Sequence, residues 1–154
     1  MQNNNAEQRK RGATSLLYEE ESFLIRGACY AVYETFRNTQ KEVIYQRSLF
    51  EDLKTKGLNV EREKQLPVYY LGKKVGIYTP DLVINDSIII ELKAKPFLHK
   101  DDIQQFWYYL KNSDFKLGFL VNFGESGGGR IVRRIYDLAR RHSASGSAGL
   151  AKSI

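Results

Sequence analysis

The sequence predicts an α/β domain, a sandwich of helices around a central mixed sheet, and three observations predict it. Apolar residues recur at helical spacing in the first third of the chain, from Leu16 to Phe36 and again from Lys41 to Lys56. Between Leu58 and Lys95, runs of β-branched and aromatic residues are divided by the turn-forming stretches "LGKK" and "NDS". After one more amphipathic stretch comes "KLGFLVNF", a nearly continuous apolar run of the kind that is buried on both faces of a sheet. Helix, strands, helix and strand in that order make a layered α/β fold.

Each element has its own warrant. In the first helix Leu24, Ala28, Val32 and Phe36 form the apolar stripe, and the acidic "EEE" at residues 19–21 suits the positive end of the helix dipole. The second helix carries Tyr45, Leu49 and Leu53 on one stripe and has Gly57 as its stop. The segment from Leu58 to Lys95 is expected to be a three-stranded antiparallel meander. A further helix spans His99 to Lys111, and the glycine-rich "GESGGG" connects the apolar strand to "RIVRRIY", read as an edge strand or a short helix.

A chain of 154 residues suits one domain, assigned to residues 16–140 between polar tails at 1–15 and 141–154. At this length folding buries roughly 68–70% of the surface of the unfolded chain. The net charge of +6 and a pI near 9.4 favour an anionic partner such as nucleic acid. The single cysteine, Cys29, excludes an internal disulfide and a Cys-based metal cluster, and is expected in the core. No apolar run approaches the ~18 residues of a membrane span and the start lacks the apolar core of a signal peptide, so a cytoplasmic protein is expected.

The chemistry concentrates in "YTPDLVINDSIIIELKAK", Tyr78 to Lys95. Side chains alternate along a strand, so Glu91, Lys93 and Lys95 share one face while Ile88, Ile90 and Leu92 share the other. A two-residue turn would put Asp81 on the wrong face. A three-residue turn Asn85-Asp86-Ser87 pairs Ile84 with Ile88 and brings Asp81 opposite Glu91. Two carboxylates this close repel unless a proton or a cation sits between them. Mg²⁺ accepts one or two carboxylates and keeps several waters, and the carbonyl of Leu92 offers one more oxygen. Lys93 cannot bind the metal as an ammonium, but it can orient or deprotonate an attacking water and offset charge building on a phosphate. Glu42 falls on the core-facing stripe of the second helix, from which it completes the metal site or serves a second ion. Together these groups describe phosphodiester hydrolysis.

"TPD" followed by "ELK" resembles the PD-(D/E)XK nuclease superfamily, whose core order is αβββαβ and whose fold is restriction-endonuclease-like. More narrowly, "QKEVIYQRSLFEDLKTKGL", "LPVYYLGKKVG", "PDLVIND", "IIIELKA" and "QFWYYLK" resemble the GxxExxY protein family within it, over roughly Ile25 to Tyr136. The resemblance implies cleavage of DNA with Mg²⁺ or Mn²⁺, Glu42, Asp81 and Glu91 as metal-site acids, Lys93 as catalytic lysine, and Gln105 with Tyr109 as a QxxxY pair. Gln105 would then orient Lys93 or the scissile strand. Thr39 stands where that family has a glycine three residues before Glu42, and "FRNTQ" lacks its Gly-Pro-Gly turn.

Other features are read blandly. His99 and His142 stand singly in polar stretches, and Lys73, Lys74, Lys95, Lys100, Arg140 and Arg141 are each read as solvated charges. Tyr30, Tyr33, Phe106, Trp107 and Tyr108 are assigned to core or dimer contacts before base stacking. Rival readings on the same fold are a nucleic-acid-binding module without turnover and an assembly protein with the charges as a structural network; RNA as substrate stays open. Cutting both strands of a duplex needs two sites, which suits a homodimer.

Overall fold

The computed structural model of the protein describes residues 17–137. Helix α1 (Glu19–Phe36) and helix α2 (Glu42–Thr55) come first, then strands β1 (Val60–Arg62), β2 (Leu66–Tyr70), β3 (Lys73–Tyr78), β4 (Leu82–Ile84) and β5 (Ile88–Lys93). Helix α3 (Lys100–Lys111), β6 (Leu117–Asn122) and β7 (Arg130–Ile135) complete the order. "RIVRRIY" is thus the edge strand. The expected tails, with Arg140, Arg141 and His142, lie outside the described residues.

The central sheet runs β1-β4-β5-β6-β7 and is mixed: β5 and β6 are parallel, the other neighbours antiparallel. On one face Leu82, Ile84, Ile88, Ile90, Phe119 and Val121 pack against Ile25, Ala28 and Val32 of α1 and Tyr45, Leu49 and Leu53 of α2. On the other, Val83, Ile89 and Leu120 meet Phe106 and Leu110 of α3. Gly118 is required here, because a Cβ would lie 2.6 Å from the Phe106 ring. Cys29 is buried, as expected, and burial pushes its thiol up to about 12. A five-stranded mixed sheet between helical layers is a restriction-endonuclease-like fold. No helix among the described residues is long and apolar enough to cross a membrane.

The expected meander is corrected. β1 pairs with β4, while β2 and β3 leave the sheet as a separate hairpin. Its tip is the "LGKK" turn, with Leu71 and Gly72 both at positive φ, the geometry of a tight two-residue hairpin turn. The neck closes where the Glu63 N–H donates to the Asp81 carbonyl at 3.1 Å. Pro67, lacking an N–H, suits a strand outside a continuous ladder. The next turn agrees with the three-residue reading: Asn85 and Asp86 take positive φ, the Ser87 N–H donates to the Ile84 carbonyl at 2.9 Å, and Ile84 pairs with Ile88.

Candidate active site

The site forms where the β4–β5 ladder stops. Leu82 pairs with Ile90, so one step further sets Asp81 opposite Glu91 and a second sets Pro80 opposite Leu92. Proline has no N–H and cannot continue the ladder. Instead the Leu92 N–H donates to Asp81 Oδ2 at 2.7 Å. The N–H and C=O of one strand residue point to the same neighbour, and the Lys93 carbonyl points the other way, accepting from the Phe123 N–H at 2.9 Å. The Leu92 carbonyl therefore faces the acids, opposite a residue that has no amide proton to give it.

Asp81 is held from several sides. Gln46 Nε2 of α2 donates to its Oδ1 at 3.2 Å. Burial nevertheless raises the pKa of Asp81 above the usual carboxylate range, against the Leu92 amide, Gln46 and Lys93. Glu91 accepts a 2.6 Å hydrogen bond from the Tyr78 hydroxyl and lies in direct contact with Asp81. Its pKa is pushed up to about 7 by burial and by the Asp81 charge, with the Tyr78 hydrogen bond and Lys93 opposing.

Lys93 lies on the same face as Glu91, and its charge lowers the pKa of Asp81, Glu91 and Glu42 alike. Glu42 opens α2 at the rim of the site. Its side chain is exposed by area, yet partial burial and repulsion from Asp81 raise its pKa, against Lys93 and Lys95. The turn before it carries no glycine, although Arg37 takes a positive φ of 50°, which favours one. The buried Tyr45 hydroxyl holds this turn, donating to the Arg37 carbonyl at 2.6 Å and accepting from the Gln40 N–H at 3.0 Å.

Gln105 and Tyr109 are exposed on the flank of α3, and Gln105 Nε2 donates to the Tyr109 hydroxyl at 3.1 Å. Tyr109 stacks on Tyr78 with ring centroids 4.3 Å apart. The link from this pair to the acids thus runs through Tyr78 to Glu91. Tyr78, the last residue of β3, is what connects this exposed flank of α3 to the site.

Sequence reasoning missed three supports. Tyr78 and Gln46 orient the two acids, and Asn122 fixes the chain beyond β5. The buried Asn122 amide accepts from the Lys95 N–H and donates to the Lys95 carbonyl, both at 2.9 Å. Lys95 Nζ pairs with Asp102 at 2.6 Å, and a Cβ on Gly124 would lie 2.1 Å from the Lys95 carbonyl oxygen. The available signal was polarity in the wrong place: Asn122 within "GFLVNF", and Gln46 beside Tyr45 on the core side of α2.

Among the described residues no three His, Cys, Asp or Glu side chains gather tightly enough to hold an ion unaided. The donor set fits a hard divalent cation in another way. Asp81 and Glu91 offer two carboxylates at facing strand positions and Leu92 a carbonyl, which matches the preference of Mg²⁺ for few protein oxygens and several waters.

A restriction-endonuclease-like sheet that places Pro-Asp and Glu-Leu-Lys across one broken ladder defines a class of protein. A family profile, the PD-(D/E)XK nuclease superfamily, matches residues 19–135. The chain belongs to that superfamily. No curated protein and no solved structure gives a match.

Proposed function

We propose that the protein is a cytoplasmic deoxyribonuclease of the GxxExxY branch, dependent on Mg²⁺ or Mn²⁺. The observation that carries this reading is the Asp81–Glu91 pair, two carboxyls at facing positions where the β4–β5 ladder ends, with Lys93 two residues along the same face. A bound Mg²⁺ or Mn²⁺ supplies Lewis acidity to the phosphodiester and acidifies the attacking water. Asp81, fixed by the Leu92 amide and Gln46, would hold the cation, with Glu91 and the Leu92 carbonyl as the remaining protein oxygens. Lys93 orients the water and offsets charge building on the phosphate. Glu42 adds negative charge at the rim, where a second cation is needed if two act together, and Gln105 with Tyr109 steadies Tyr78 and through it Glu91. A homodimer supplies two such sites to a duplex.

The test is incubation with labelled linear, circular single-stranded and branched DNA, and with RNA, in Mg²⁺, Mn²⁺ or EDTA. Products that need the metal and disappear in Asp81→Asn, with the circular dichroism spectrum retained, are expected. Equal cleavage by Asp81→Asn overturns the site assignment. One observation favours a binding module without turnover: the Tyr78 hydroxyl already occupies a Glu91 oxygen. That reading predicts salt-sensitive DNA binding, no products with any metal, and no rise in melting temperature on adding Mg²⁺.

A further inference from the structure

Beside the acids, the β2–β3 hairpin and the C-terminal half of α3 enclose a groove of about 690 Å³, within the ~300–1,000 Å³ span of ligand sites. Tyrosines 69, 70, 78, 108 and 109 line it, together with apolar side chains of β2 and β3 and Phe115. Tyr69 is 62% exposed, Tyr70 68%, Tyr108 51% and Tyr109 39%. Rings of this size clustered on one face mark a contact surface.

Position and charge say what the surface is for. Tyr78 belongs both to the groove wall and to the site, since its ring stacks on Tyr109 and its hydroxyl donates to Glu91. The groove therefore opens beside the carboxyl pair. In the hairpin ladder Tyr69 pairs with Lys74 and Tyr70 with Lys73, and cross-strand partners share a face. Consecutive residues of a strand alternate faces, so one ring-and-ammonium pair lies on each face of the hairpin tip. Neither lysine has an ion pair among the described residues. Lys111 Nζ lies 5.1 Å from the Tyr108 ring centroid, against one acid in the lining, Asp114.

We infer that this groove receives the unstacked bases of single-stranded DNA, with the phosphates carried along Lys73 and Lys74 toward Glu91. The inference rests on the nuclease reading and names its substrate: a strand with unpaired bases, at a single-stranded stretch or a frayed end. In a duplex each base face is covered by its neighbours, so tyrosine rings gain contact only with bases already out of the stack, and any base offers a face to such a ring. The lysines paired with Tyr69 and Tyr70 at the hairpin tip and the aromatic rings of the groove beside a nuclease site favour a nucleic-acid strand over an apolar peptide or a second copy of the chain.

The test measures binding apart from cleavage. In EDTA, fluorescence anisotropy with labelled oligothymidylate and with a blunt hairpin duplex is compared for wild type, Tyr69→Ala/Tyr70→Ala, Tyr108→Ala and Tyr69→Phe/Tyr70→Phe. Stacking is worth ~1–3 kcal/mol per base, so the double alanine variant should lose at least about tenfold in affinity for the oligothymidylate. Tyr108→Ala should lose about fivefold, the phenylalanine pair should keep wild-type affinity, and duplex affinity should stay constant. Unchanged oligothymidylate affinity in both alanine variants, or an equal loss on the duplex, overturns the inference. So does a change of oligomeric state in sedimentation with single-strand affinity intact, which makes the groove a dimer contact. Cleavage in Mg²⁺ or Mn²⁺ is scored separately: cleavage with tyrosine-independent binding sinks the groove alone, whereas tyrosine-dependent binding with no cleavage sinks the nuclease reading alone.

Discussion

The two halves of β5 are built on opposite physics. Ile88, Ile89 and Ile90 are fully buried and apolar toward both helical layers, each contributing on the order of 1.5–3 kcal/mol by leaving water. One residue later the face toward α3 carries Glu91 and then Lys93, and burial there works against the folded state by raising the Glu91 pKa. The change falls where Pro80 ends the ladder with β4. A rigid apolar strand thus holds charges that would separate if they were free to, and the stability of the first half sustains the strain of the second.

Ile90→Ala should break the contrast most severely. It opens a cavity under α1 and α2 and should cost about 2–5 kcal/mol in urea denaturation. Glu91→Gln, one residue on, should leave stability equal or higher, since it removes a repelled charge, while abolishing cleavage. Equal destabilisation by both would mean that the two halves do not differ. A smaller effect is expected from pH. A carboxyl raised from its ordinary 4.5 to about 7 binds its proton more tightly when folded, so its contribution is complete below pH 4.5 and is lost as pH rises through 7. After allowance for solvent screening at a half-buried group, the loss should be about 1–3 kcal/mol. Melting temperatures read in EDTA between pH 5 and 8 should register it against Glu91→Gln as reference, and Mg²⁺ should reduce it. Tyr78→Phe should have the smallest effect on stability, about 1 kcal/mol. Because the Tyr78 hydrogen bond lowers the Glu91 pKa, its loss should move this pH midpoint upward, and a downward shift would contradict the assigned role.

Local pattern made much of this legible. The helix bounds follow from apolar spacing to within a few residues, α1 starting later than expected because Tyr18 takes a positive φ. The Asp81–Glu91 register followed from turn length, since a two-residue turn would have put Asp81 on the face away from Glu91. The departure of the hairpin was not legible. Val75 and Ile77 alternate as they would in a sheet interior, and only the pairing of β1 with β4, twenty residues away in sequence, shows that β2 and β3 are excluded. Gln46 and Asn122 stayed hidden for a related reason: their partners lie 35 and 27 residues off, and an amide takes its meaning from what it meets.

The closed neck of that hairpin separates two kinds of inheritance. The chain leaves the sheet at Glu63 and returns at Asp81, and one hydrogen bond joins the two points. Between them the tip of the arm, from Tyr69 to Lys74, can lengthen, shorten or be exchanged while Asp81 keeps its place against Glu91. What the protein grips and what it does to it are therefore free to evolve on separate schedules, a tool head on a fixed handle.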